Sequence, residues 1–318
     1  MSSSLHQVIT NSKIIFVGES GSHFLNFYSP LQAYMLAYLN KKEGLKTFII
    51  EGGSATAYLC NKYLETGDSN YLPKFSQERS FVLWKLIYTY NQTIPVSNRL
   101  KVMGIDFESP IAYFKALNYL IPAKEPPAQI QKEIALIRSS VQPMNCNGLT
   151  KTDKLLKKSL LENPIIWKEY TGENYTEIVT IISNEGSCKD ALGNRNKNLK
   201  KRFLEFDALL KEPLYYGQFG QAHTTLDSKS HFASMLNNDD RTSFYHKVCV
   251  INTYCQHCTT AVEPVSNWVL KKIEPDIQST LLKFCTSDFT LFDFSGSPDI
   301  TQQYLQYGQF LLIAKDQQ

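Results

Sequence analysis

The feature that most constrains this chain is an alternation near its start. Short apolar runs, each closing on a glycine or an acid, are separated by stretches with helical spacing. Lys13 to Val17 is the first run, and "GESGSHF" follows it. Phe24, Phe27, Leu31, Tyr34, Met35 and Tyr38 then recur at three- and four-residue steps, the period of one helical face, and Gly44 suits the end of that helix. "KTFII" (46–50), a helix capped by Ser54, a helix over about 77–91 and "LKVMGID" (100–106) continue the rhythm. Parallel neighbours in a sheet need a crossover long enough for a helix, and strands buried on both faces read as unbroken apolar runs. The order therefore predicts a mainly parallel sheet with helices on its faces.

The pattern changes after "IPAKEPPAQ" (121–129): residues 130 to 211 show helical periodicity, and strands return at "PLYYGQF" (213–219), "HKVCVINTY" (246–254), "DFTLFDF" (288–294) and "GQFLLIAK" (308–315). The expectation is an α/β fold with a mainly parallel central sheet, flanking helices and a helical insertion. Residues 1–120 and 212–318 form the core, and 121–211 the insertion. With 318 residues, 43% hydrophobic, the chain can bury a large core. A net charge of +3 implies no polyanion-binding surface, and the densest basic run, "NKNLKKRFLEF" (196–206), reads as a solvated helix face. No nucleic-acid partner is expected.

"MSSSLHQVITNSK" lacks a basic segment followed by an apolar core, and no apolar run approaches the ~18 residues of a membrane span. Seven scattered cysteines, an odd number, fit reduced thiols better than a disulfide framework. These features predict a cytoplasmic protein with no membrane partner.

In an open parallel sheet, ligands sit beyond the carboxyl ends of the strands, and this chain places its unusual polar residues there. Glu19 and His23 follow the first strand, Glu51 the second, Asp106 and Glu108 the third, and His223 the fourth, within "GQAHTTLD" (220–227). A histidine beside a carboxylate holds a proton near neutral pH, with the carboxylate fixing its tautomer. A helix starting near Ser22 would add backbone N–H groups for an oxyanion. Together these are the parts for attack of activated water on an ester, acting on a small-molecule or peptide substrate. Asp106 also suits a helix cap, and Tyr28 suits core packing as well as a cleft wall.

The stretch "VGESGSHFLNFYSPLQAYMLAYLNKKEGLKTFIIEGGSATAYLCNKYLETGD", with "LWKLIYTYNQ", "LKVMGIDFE" and "YYGQFGQAHTT", resembles the erythromycin esterase-like family. There a Gly-Glu-x-x-His segment ends the first strand and a Glu ends the second. The resemblance implies a fold shared with haem-binding and metal-dependent peptidase relatives, and metal-independent hydrolysis in the esterase branch. It makes His23 the general base, with Glu19 and Glu51 orienting it or the water and His223 contacting substrate or oxyanion. Ser20, Ser22, Tyr28, Arg79, Asp106, Gln221 and His257 are candidate substrate contacts. No cofactor and no metal ligand are expected in that branch. The chain departs from the family pattern at three points: Glu19 and His23 are four residues apart rather than three, Gln32 stands in place of an arginine, and Gly220 in place of a histidine. Arg79 is a candidate replacement for the missing cation. Acyl transfer, cyclisation or elimination on the same fold, or non-catalytic ligand binding, are the other functions this pattern allows.

Other motifs point elsewhere. "GESGS" lacks the second glycine of a Gly-x-Ser-x-Gly elbow, which argues against Ser20 as a nucleophile, and it has neither the lysine of a P-loop nor dinucleotide-type glycine spacing. "CQHC" (255–258) has no second Cys-x-x-Cys to complete a zinc site; Cys249 and His246 are the nearest further ligands.

Overall fold

A computed structural model describes residues 3–20, 27–139, 146–184, 194–256, 279, 281–285, 287–294 and 307–315. In chain order, α1 (Ser3–Asn11) leads into β1 (Ile14–Glu19), followed by α2 (Tyr28–Glu43), β2 (Thr47–Ile50), α3 (Ser54–Thr66), α4 (Lys74–Arg79), α5 (Phe81–Gln92) and β3 (Lys101–Gly104). The helical middle runs through α6 (Pro110–Leu120), α7 (Gln131–Ser139), α8 (Cys146–Glu162), α9 (Pro164–Thr171), α10 (Tyr175–Ile182) and α11 (Arg195–Leu210). Then come β4 (Tyr215–Gly220), α12 (Gln221–Thr224), α13 (Phe232–Asn237), β5 (Val248–Gln256), β6 (Phe289–Asp293) and β7 (Phe310–Lys315).

The strands form one seven-stranded sheet in the order β3-β2-β4-β1-β5-β7-β6. β1 runs parallel to β4 on one side and β5 on the other, β2 is parallel to β4, β5 to β7, and β6 closes the sheet antiparallel to β7. This is the α/β architecture the alternating runs predict. All six residues of β1 are buried, as an apolar run covered on both faces requires. The edge strand β6 instead alternates exposed and half-buried residues, because successive side chains point to opposite faces and one face is less covered.

The chain packs as two compact units. The first comprises residues 1–49, 79–101 and 207–318. Its interior is aromatic where β1 meets β4 and α13: Phe16 lies edge-on to Phe219 and Phe232, with ring centroids 6.0 and 5.2 Å away. The second comprises 50–78 and 102–206, with a core of Leu59, Tyr113, Trp167, Ile178 and Ile182, all buried. Trp167 brings a polar atom into that core and donates its indole N–H to Ser159 Oγ at 3.1 Å.

Local details refine the sequence reading. Gly44 caps α2 in the left-handed conformation, as expected. The helix expected over 77–91 is divided at Ser80 into α4 and α5. Ser54 does not cap α3: it is the first helical residue, Gly53 takes the cap position without a side-chain bond, and the Glu108 carboxylate accepts the Ala55 N–H instead. Asp106 is not a cap of α6, whose cap residue is Ser109.

The β3 end of the second unit depends on a close backbone approach. A Cβ on Gly104 would lie 2.1 Å from the Gly53 carbonyl oxygen and 2.5 Å from its carbon, so only glycine fits without moving the main chain. Gly104→Ala is therefore expected to lower stability by about 1–3 kcal/mol, the usual cost of overpacking, read as a lower urea midpoint at unchanged slope.

Candidate functional site

β1 ends at the sheet's switch point. The chain leaves it for β2 on one side, beyond β4, and reaches β5 on the other, which is where open α/β sheets place ligands. In the first unit the residues past this end are Glu19 and Ser20, with α12 following β4.

Glu19 is buried and held by its neighbour strand: Gln218 Nε2 donates to Glu19 Oε1 at 2.6 Å and also reaches the Tyr28 carbonyl at 3.4 Å. Gln218 Oε1 accepts the Tyr216 O–H at 3.1 Å, which fixes which way the amide faces. Burial first, and the Glu19 charge second, push the Tyr216 phenol far above the ordinary tyrosine range, so it remains a donor.

Ser20 is fixed through its backbone. Its N–H donates to Tyr28 Oη at 2.8 Å and to Thr253 Oγ1 at 3.2 Å. Thr253 spends its own proton on the Gly18 carbonyl at 2.8 Å, so the 2.9 Å contact between Tyr28 Oη and Thr253 Oγ1 is donated by the phenol. Ser20 Oγ, 3.1 Å from Tyr28 Oη, then donates to it. Tyr28 is buried and hydrogen-bonded to the strand ends, and burial followed by the Glu19 charge raises its pKa. Of its two sequence readings, core packing and a cleft wall, the burial fits the packing.

Gln221 and His223 lie on α12 and are buried; Gln221 Nε2 donates to the Thr253 carbonyl at 2.8 Å. Gln32, at the position of the family's arginine, is buried on α2. Ser22, His23 and His257 lie outside the described residues, as does the side chain of Arg79, the last residue of α4.

The second unit holds Glu51 and Asp106, and sequence reasoning missed the group that joins them. Arg195, the first residue of α11, donates from Nη2 to Glu51 Oε1 at 2.6 Å, from Nε to both Asp106 oxygens, and from Nη2 to Asp106 Oδ2 as well. Its guanidinium lies 5.2 Å from the centroid of the Phe107 ring. Two carboxylates on one guanidinium leave the trio at a net charge of −1, so any remaining N–H edge suits a neutral carbonyl better than an anion. The only sequence signal was a basic residue directly ahead of the 196–206 run. That run is not wholly a solvated face either: Arg202 donates to the Thr180 carbonyl at 2.9 Å and to Ser54 Oγ at 3.3 Å.

Glu108, one of the acids expected beyond the third strand, is buried in the same unit. It accepts Asn184 Nδ2–H at 2.8 Å and the Ala55 N–H on both oxygens, with the Arg202 charge nearby. Burial outweighs these contacts and pushes its pKa up to about 7.

Among the described residues, no group of three or more His, Cys, Asp and Glu side chains is arranged to hold a metal ion, and no helix is long and apolar enough to cross a membrane. Cys60, Cys249 and Cys285 are free thiols, and burial pushes that of Cys249 up to about 12. Cys255 departs from the reduced-thiol reading: it is disulfide-bonded.

With strand order and strand-end geometry in hand, the fold is of the erythromycin esterase-like kind. Over 98% of its length the chain is similar to a histidine-to-asparagine mutant of erythromycin esterase EreC in its open conformation, with TM-score 0.65, 12% identity and 92% of that chain covered. It is equally similar to a Bacillus cereus protein (TM-score 0.65, 15% identity, 98% of this chain and 90% of that one) and to a succinoglycan biosynthesis protein (0.65, 12%, 98% and 90%). At these identities the likeness is one of fold. No family model matches the chain, and no curated protein matches it in sequence.

Glu108 generates a prediction about stability. Its folded pKa of about 7 lies above the ordinary 4.5, so between those values the folded state holds a proton that the unfolded state has lost. Stability should therefore fall as pH rises from about 4.5 to about 7, by about 3 kcal/mol for this group alone. Glu108→Gln, which keeps the size and an accepting oxygen, should remove that slope and be the more stable protein at pH 8. Urea unfolding across this pH range measures it.

Proposed function

We propose that this protein is a hydrolase of the erythromycin esterase type, in which His23 activates water against an ester or related acyl centre of a small natural product or peptide. The observation that carries the reading is the fixed carboxylate at the end of β1. Glu19 is buried and clamped by Gln218 at 2.6 Å, four residues ahead of the histidine in sequence. A carboxylate held this firmly can set the tautomer of an imidazole and support the imidazolium that forms when water is deprotonated. Two further points support the same reading: open α/β sheets generally bind ligands beyond their strand ends, and an erythromycin esterase is among the proteins of similar fold.

In this proposal His223 contacts the substrate or the developing oxyanion. Ser20 and Ser22, with the backbone they carry, line the approach together with Tyr28, Gln221 and His257, and Arg79 supplies a cation. In the second unit Glu51, the family pattern's other carboxylate, accepts from Arg195, and Asp106 holds that guanidinium in turn. No cofactor enters the proposed reaction.

The test is turnover of a panel of esters, lactones and peptides followed by mass. Hydrolysis adds one water to the substrate, whereas cyclisation or elimination removes one and acyl transfer adds the acceptor. His23→Ala should cut the rate by at least about a hundredfold while circular dichroism and the urea midpoint stay unchanged. A variant that turns over at the wild-type rate would remove His23 from the mechanism.

A further inference from the structure

Three buried oxygens, on side chains that all pack against Gly18, have no hydrogen-bond partner among the described residues: Thr224 Oγ1, Asn252 Oδ1 and Gln221 Oε1. Thr224 and Asn252 are 0% exposed and Gln221 4%. An orphaned buried acceptor costs about 1–3 kcal/mol, so three in one place call for a partner.

The oxygens belong to side chains that converge on one point of the backbone. A Cβ on Gly18 would stand 2.6 Å from Thr224 Oγ1, 2.7 Å from Asn252 Oδ1 and 3.2 Å from Gln221 Cγ. Glycine at 18, paired in register with Asn252, lets these groups close in on the strand. Neither amide can turn round to cure the problem. Asn252 Nδ2 already donates to the Tyr307 carbonyl at 2.9 Å, and Gln221 Nε2 to the Thr253 carbonyl at 2.8 Å. Reversing either would set oxygen against oxygen.

We infer that a single buried water molecule is bound beside Gly18 by Thr224, Asn252 and Gln221. The donor count fits that ligand: two amide oxygens take the two water protons, and the threonine hydroxyl gives its proton to the water oxygen. Three bonds is the usual number for a buried water. The three ligating side chains carry no formal charge, and moving an ion among them would cost its hydration without a counter-charge in return.

The water joins two elements beside Gly18 of β1: β5 through Asn252, and α12 through Gln221 and Thr224. α12 is four residues long, too short to hold its shape alone, so anchoring side chains at both its ends must dock it. It also carries His223, so the water fixes the position of that imidazole whatever reaction it serves. The inference does not depend on the proposed hydrolysis.

A crystal structure of the wild-type protein at about 1.5 Å, with a second crystal soaked in rubidium chloride, tests it. The expected result is one water-sized density peak at hydrogen-bonding distance, about 2.7–3.2 Å, from all three oxygens, with no rubidium anomalous signal. An anomalous peak there would overturn the inference in favour of a monovalent cation. The absence of any peak, with the oxygens bonded to protein groups, would overturn it outright. Both outcomes are read without any activity measurement, so they stand whether or not the protein proves to be a hydrolase.

Discussion

The first unit depends on β1 being paired on both sides. From Ile14 to Gly18 each residue has a partner in β4 and another in β5, so the strand can neither shift nor fray without breaking two ladders. That double constraint makes its end a platform. Gly18 offers its carbonyl to Thr253, Ser20 gives its N–H to Tyr28 and Thr253, and Glu19 accepts from Gln218, so three consecutive residues are held by side chains from α2, β4 and β5. Small misplacements of catalytic groups are expensive in rate, and a strand end fixed in this way is a better mount than a loop.

The two units handle their buried carboxylates differently. Glu19 accepts from a neutral amide, itself aligned by a phenol. In the second unit Asp106 and Glu51 share Arg195, while Glu108 caps a helix start and lies near Arg202. A carboxylate tied to a guanidinium is largely spoken for, whereas a hydrogen bond from a neutral amide brings no counter-charge. This contrast is the physical reason for centring the proposed chemistry on Glu19.

The strands were the most legible part of the sequence, because a strand buried on both faces leaves an unbroken apolar run. Each of the seven appears within two residues of its expected start. Glu19, Glu51 and Asp106 were legible as candidates because an acid directly after such a run is unusual. The groups that hold them were not. Gln218 sits inside "YYGQFG" and looks like any polar residue in a strand; only the pairing of β4 with β1 sets it against Glu19. Arg195 precedes a basic run whose charges suggest solvent, and 89 residues separate it from Asp106. Glu108 replaced Ser54 as the partner of the α3 start because a carboxylate from another loop reached the N–H groups, and no local pattern encodes that contact.

The central claim is that the end of β1 is a rigid mount for the residues that follow it. Native-state hydrogen exchange at the Ser20 amide tests this most directly. If the contacts from Tyr28 and Thr253 hold, that amide should exchange only through global unfolding, with the same denaturant dependence as amides in the middle of β1. Exchange at the rate of an exposed loop, insensitive to denaturant, would show that the strand end opens on its own and would contradict the account.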